Sequence, residues 1–274
     1  MKNRTLRCLL AIPLLALAAC GPSDKIAERE VPESASLSET AEAPPGRLPE
    51  GVRPLFYRVN LLLDPRLDDF SGSVEIDIQL DQPAQHIWLH GKGLRVKDVS
   101  ATLADGSRVA GDYEEVLDSG VAKVSFVEQL PAETFTLSLE YGAAFDRNLA
   151  GLFKVEENGD SYALAKSESI QARKYLPGFD EPGLKAPFDI SLTVPEGYAA
   201  ISNGRELKRE PAGEGLENVT FATTRPTPTY LLSLSVGQFD VGEFPAIPAT
   251  DFRLQPIPLR GFARKGRGAD LAYI

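Results

Sequence analysis

The chain is 274 residues long, 43% hydrophobic and 25% charged, with 39 acidic against 29 basic side chains and a formal charge of -10. This length supports one large domain or two small ones, and the acidic balance leaves no electrostatic footprint for nucleic acid or anionic lipid. Two cysteines, Cys8 and Cys20, confine thiol chemistry to the first twenty residues, and two histidines, His86 and His90, leave little with which to hold a metal.

The N-terminal segment carries the signs of an export signal. Lys2, Arg4 and Arg7 precede or flank the apolar run LLAIPLLALAA, which is too short to span a bilayer comfortably. The run ends in Leu17-Ala18-Ala19-Cys20-Gly21, which resembles a bacterial lipobox, so residues 1–20 read as a lipoprotein-type signal peptide. Acyl chains on Cys20 would anchor the protein to a membrane without a transmembrane helix; ordinary cleavage followed by soluble export is the alternative. Gly21 stands where an aspartate would mark retention at the inner membrane, which points to the outer membrane, facing the periplasm. Residues 21–50 are rich in Pro, Ser, Ala and Glu and poor in aromatic and β-branched side chains, the composition of a flexible linker.

The next two hundred residues read as strand after strand. Val74, Ile76, Ile78 and Leu80 alternate with Glu75, Asp77 and Gln79, and Phe135, Leu137, Leu139 and Tyr141 repeat the pattern. Phe188, Ile190, Leu192 and Val194 do the same, and similar runs occur at 55–63, 94–103, 121–127, 198–202, 217–223 and 229–236. Gly, Pro, Asp and Asn turns separate them, and no long stretch has a helical period. The expected fold is all-β, an antiparallel sandwich or large curved sheet over residues 51–260. Residues 261–274 change character, basic and glycine-rich at first and then a helix start near Ala269.

Few residues in this pattern carry chemistry. His86 and His90 have the spacing of an HExxH zinc motif, but Ile87 replaces the glutamate and QHIWLH reads as a strand. Side chains four apart on a strand are ~13 Å from each other, too far for one zinc, so two partly exposed strand histidines are expected. The segment KSESIQARKYLPGFDEPGLKAPF gathers Glu168, Arg173, Asp180 and Glu181 between and beside prolines. Asp-Glu-Pro-Gly is turn chemistry, and Arg173 is expected to pair with one of the carboxylates and fix the loop.

Over residues 166–204 the sequence resembles the signature of the aminopeptidase N family of zinc metallopeptidases. The match runs through Glu168, Ala172-Arg173, Pro177, Phe179-Asp180-Glu181-Pro182, Lys185-Ala186, Phe188, Val194-Pro195 and Ser202-Asn203 without a gap. Gly151-Leu152-Phe153, Ile87-Trp88-Leu89-His90 and Tyr57-Arg58-Val59 agree with it. The resemblance implies a saddle-like β-sandwich that packs against a thermolysin-like catalytic domain, of which residues 261–274 would be the start. It also implies that Glu168 binds the free α-amine of a peptide substrate, while Arg173, Asp180 and Glu181 shape the loop. Lys166 stands where the family has a glutamine beside its first specificity pocket, which implies a shifted substrate preference. The family's HExxH helix, third zinc ligand and transition-state tyrosine fall beyond the residues of this sequence. No cofactor is therefore expected in this chain, with zinc in a full-length enzyme, and the chain alone is not expected to hydrolyse peptides. Its expected partners are a peptide N-terminus, the missing catalytic domain and, through lipid, a membrane; no nucleic acid is expected. The alternative is a non-catalytic, lipid-anchored β-sandwich binding module.

Overall fold

A computed structural model describes residues 42–273. The signal peptide expected at 1–20, with Cys20, and most of the linker expected at 21–50 lie outside the described residues. The strands are β1 (Val52–Leu62), β2 (Asp69–Leu80), β3 (Ala84–His90), β4 (Arg95–Thr102), β5 (Arg108–Leu117), β6 (Val121–Leu130), β7 (Thr134–Ala144) and β8 (Gly151–Glu157). They continue with β9 (Asp160–Lys166), β10 (Phe188–Pro195), β11 (Ala199–Ile201), β12 (Glu206–Gly213), β13 (Leu216–Phe221), β14 (Ser235–Gly237), β15 (Phe239–Ile247) and β16 (Ile257–Arg264).

Ten of these strands form one sheet in the order β12-β13-β10-β1-β2-β7-β4-β5-β6-β3. The alternation in β2, β7 and β10 becomes one buried face: Val74, Ile76, Ile78, Leu80, Phe135, Leu137, Leu139, Ile190, Leu192 and Val194 all sit in the core. Between β4 and β5 the ladder is only three residues long, Ser100–Thr102 against Arg108–Ala110. Beyond it the sheet folds back on itself, so that Phe126 of β6 meets Phe135 of β7 edge to face with ring centroids 6.4 Å apart. This is how one sheet supplies both layers of a sandwich.

The structure agrees with an all-β chain and adds what alternation does not reveal. β1 and β10 run parallel, with Tyr57 opposite Phe188 and their rings stacked at 4.4 Å, so the sheet is mixed rather than wholly antiparallel. Residues 229–236 are not one strand: a 3₁₀ turn covers Thr229–Leu231 and only Ser235–Gly237 pairs. Pro228, at φ -74° and ψ 152°, starts that turn, and no alternation signal encodes it. The helix expected near Ala269 is a 3₁₀ segment, Gly268–Tyr273. Leu48, placed in the linker by composition, packs against the core.

A four-stranded sheet, β11-β14-β9-β8, carries the end of β9, and a two-stranded hairpin, β15-β16, follows it. The hairpin is tied to β9 by Tyr162 against Phe239 at 5.1 Å and by Lys265, whose Nζ lies 2.9 Å from Asp160.

Candidate functional site

The loop from Ser167 to Pro187 leaves the end of β9 and returns into β10, and its shape is set by buried polar contacts. Ser167 is buried, and its Oγ donates to the Leu232 carbonyl at 2.7 Å. The Tyr175 hydroxyl then donates to the same Oγ, also at 2.7 Å, while the Tyr175 carbonyl accepts from the Tyr141 hydroxyl at 2.9 Å. Burial pushes the Tyr175 hydroxyl above its ordinary pKa, which keeps it a donor. The Gln171 N–H bonds to the Ser167 carbonyl at 2.9 Å and opens a 3₁₀ turn over Ala172–Lys174.

Arg173 closes the loop. Its Nε lies 2.9 Å from Asp180 Oδ2, Nη2 donates to the Asp180 carbonyl at 3.2 Å, and Nη1 donates to the Ser119 carbonyl at 2.8 Å. The second oxygen of Asp180 accepts from the Thr229 hydroxyl at 2.5 Å. Both charged groups are buried, and each has hydrogen bonds beyond the pair itself, which is what a buried ion pair needs to persist. Glu181 Oε1 accepts the Leu48 N–H at 2.6 Å and so pins the chain entering β1 onto the loop.

The two histidines depart from the expectation of partial exposure: both are buried. His90 lies at the end of β3, where its backbone bonds both ways with Gly178 and its Nδ1 accepts the Asp180 N–H at 3.2 Å. Burial, helped by the nearby charge of Arg173, lowers its pKa to about 3, so at neutral pH it is an uncharged acceptor. The loop that covers it comes from ninety residues further along the chain, which explains why the exposure was not legible locally. Tyr57 is another support that strand patterning does not single out. Its hydroxyl accepts the Phe179 N–H at 3.0 Å, and its ring lies so close to Gly178 that a Cβ there would sit 2.9 Å from it.

Lys166 and Glu168 stand on the open side of this frame. The order exposed Lys166, buried Ser167, exposed Glu168 directs the two charged side chains away from the anchor. Neither side chain makes an ion pair or hydrogen bond with the described residues. The far end of the motif supports the same place: Asn203 Nδ2 donates to the Leu231 carbonyl at 2.8 Å, and Asn203 Oδ1 accepts the Ser233 N–H at 2.9 Å. These bonds bracket Leu232, whose carbonyl holds Ser167. Asn203 thus holds, from both sides, the backbone segment whose carbonyl accepts from the residue beside Glu168.

The two histidines do not fit a zinc ion. His86 and His90 are four apart on one strand, and the Nδ1 of His90 is taken by the Asp180 amide. Among the described residues no group of three or more His, Cys, Asp or Glu is arranged to hold a metal. What the arrangement offers is an exposed carboxylate and an exposed ammonium on either side of an anchored serine, suited to binding a charged ligand end.

Comparison with known proteins gives the family. The family model described as the peptidase M1 N-terminal domain matches residues 53–231. Human glutamyl aminopeptidase is 31% identical over 220 residues, covering 75% of this chain and 23% of that protein. Aminopeptidase M1-B of Oryza sativa subsp. japonica is 28% identical over 212 residues, covering 76% of this chain and 24% of its own length. Aminopeptidase N of Acetobacter pasteurianus is 27% identical over 197 residues, covering 70% of this chain and 54% of its own. The chain therefore spans less than a quarter of the human and rice relatives and about half of the Acetobacter one. It belongs to the peptidase M1 family, as that family's N-terminal domain.

Proposed function

We propose that this domain serves a zinc-dependent aminopeptidase, where it shapes the cleft and binds the substrate's α-amine through Glu168. The observation that carries the reading is the display of Glu168: outward, without a partner in the described residues, beside a serine held by two buried hydrogen bonds. A carboxylate so held can pair with an ammonium and fix its distance from a reacting bond, which is how a site confines cleavage to the first residue of a peptide. The zinc and the hydrolytic step belong to residues outside this chain, and the chain alone is inactive. Export and anchoring through a lipidated Cys20 complete the reading; palmitate labelling should be lost in Cys20→Ser.

The test is made on the product of the native gene with its reading frame continued past Ile274, purified with zinc. It should release the fluorophore from Ala-7-amido-4-methylcoumarin but not from the N-acetylated substrate. Glu168→Gln should lower kcat/KM by roughly 30-fold or more, the effect of losing one partner of a desolvated charge pair. No hydrolysis by the native product, or a Glu168→Gln variant within twofold of it, overturns the proposal and leaves a lipid-anchored binding module as the reading to pursue.

A further inference from the structure

We infer that the outward face of the large sheet binds a neutral oligosaccharide, at a site that shares no residue with the Ser167–Pro187 loop. Three cavities of about 340, 280 and 320 Å³ lie on that face. The first two share Leu62, Ser71 and Lys97, and the first and third share Ser73 and Glu140, so they make one continuous furrow. It follows β2 from Asp69 to Glu75, about 20 Å at 3.3 Å per residue, which suits a chain of sugars better than a single ring. Its floor is low because Phe70 and Val74 turn into the core and leave the short side chains of Ser71 and Ser73 facing out. Lys97 stands on its edge, at a register shift between Val96 and Asp98 of β4.

The polar groups of this face fall into two sets. Many are paired: Arg58 with Asp77 at 2.8 Å, Arg95 with Asp69 at 3.1 Å, and Arg108 with Asp98 at 2.9 Å and Ser100 at 2.7 Å. Asn60, Ser71, Ser73, Lys97 and Glu140 are not. All five line the central cavity, and none has a side-chain hydrogen bond or ion pair with the described residues. Asn60, Ser73 and Glu140 stand opposite one another across β1, β2 and β7, so the open groups form a row. Polar groups that converge on one hollow and stay open while their neighbours are knitted together are what a ligand needs. The charges then select the ligand. An anion meets Glu140, Asp98 and Glu75 there, and a cation meets Lys97, Arg95 and Arg108. A hydroxyl suits both signs, since it accepts from Lys97 and donates to Glu140 in charge-assisted hydrogen bonds. Ser71, Ser73 and Asn60 likewise offer donors and acceptors together, which matches a polyhydroxylated chain. A protein partner would want an apolar centre, which this floor lacks. The bordering rings of Phe70 and Tyr141 are buried, so hydrogen bonds rather than stacking carry the affinity.

The experiment titrates the native full-length product calorimetrically with tetrasaccharides of N-acetylglucosamine, glucose and mannose, and with free glutamic acid, whose two charges could also span Lys97 and Glu140. At least one tetrasaccharide should bind with a Kd on the order of 1 mM and with little dependence on salt, and its monosaccharide should bind far more weakly. Glu140→Ala should weaken that binding about tenfold, the effect of losing a hydrogen bond to a charged group, and Glu140→Gln should recover part of it. Ser73→Ile, which fills the floor with a side chain suited to a strand, should abolish it. All three variants should keep the native unfolding midpoint and the native rate of peptide hydrolysis, since both positions lie outside the core and the loop. No tetrasaccharide bound at about 10 mM, binding that survives both Glu140→Ala and Ser73→Ile, or binding of glutamic acid alone overturns the inference. The outcome is independent of the amine site, because Glu168 takes no part in it.

Discussion

The loop Ser167–Pro187 and the hairpin β15–β16 are both outlying segments, yet they treat their side chains in opposite ways. In the loop, the apolar residues Leu176 and Phe179 are buried, and Arg173, Asp180 and Ser167 are buried with partners. In the hairpin, Val241, Ile247, Ile257 and Leu259 are exposed, and at its tip Phe252 is 102% and Leu254 82% exposed. Apolar area is indifferent to direction, so an exposed apolar arm can be covered in many ways. A buried polar network has only one arrangement in which every group is satisfied. The loop is therefore specified to the ångström by its own domain, whereas the hairpin tip is not. That difference suits a segment whose task is to hold one carboxylate in place.

If the comparison is right, the loop should break first and hardest. Arg173→Ala leaves Asp180 buried without its cation and should cost about 3–5 kcal/mol in the stability of the domain, read from a denaturant midpoint at unchanged slope. Replacing both partners, as Arg173→Met with Asp180→Leu, should cost clearly less than the two single changes summed. Additive losses would mean that the two groups are not acting as a pair.

Acid should attack the same place. His90 is held near pKa 3 in the folded state by burial and by Arg173, while in the unfolded chain it titrates near 6.5. Between those values the unfolded chain binds a proton that the folded domain refuses. Stability contributed by neutral His90 is thus complete above about pH 6.5 and is lost as pH falls towards 3, at up to ~1.4 kcal/mol per pH unit. His90→Gln should flatten that part of the stability–pH curve. An equal slope in the variant would show that the carboxylates alone carry the acid response.

How much of this was legible depended on whether the partner of a residue is near it in sequence. β2, β7 and β10 announced themselves because one face of each meets the core and the other does not. β3 was legible as a strand but its burial was not, since all but one of its residues are buried and the outer cover is the distant loop at Gly178. Alternation also carries no information about which strand lies beside which, so the parallel β1–β10 pair was invisible. Arg173 advertised a carboxylate partner by standing a few residues before Asp180 and Glu181 in an apolar-leaning stretch, and pairing with Asp180 satisfied it. Ser167 and Thr229 gave no such sign; ordinary hydroxyl residues become anchors only when a carbonyl and a carboxylate arrive from 65 and 49 residues away.

Ser167 offers a finer test than the ion pair. Ser167→Ala strands the Leu232 carbonyl and the Tyr175 hydroxyl and should cost about 1–3 kcal/mol. Under the proposed function its larger signature is kinetic: Glu168 loses its fixed neighbour, so KM for aminoacyl substrates should rise by more than the stability loss explains. Ser167→Cys, which is somewhat larger but keeps a weak donor, should fall between.

The smallest effect on stability belongs to the hairpin, and it completes the comparison. Phe252→Ser and Leu254→Ser remove exposed apolar groups at the tip, beyond the last paired residues Ile247 and Ile257. With no packing to lose, the pair of changes should alter unfolding free energy by no more than about 0.5 kcal/mol each. They should nonetheless lower the binding of a hydrophobic dye and any concentration-dependent association seen in sedimentation, because they shrink the exposed patch. A stability loss comparable to that of Arg173→Ala would show that the tip is packed against the domain after all. The contrast between a loop fixed from within and an arm left open would then be lost.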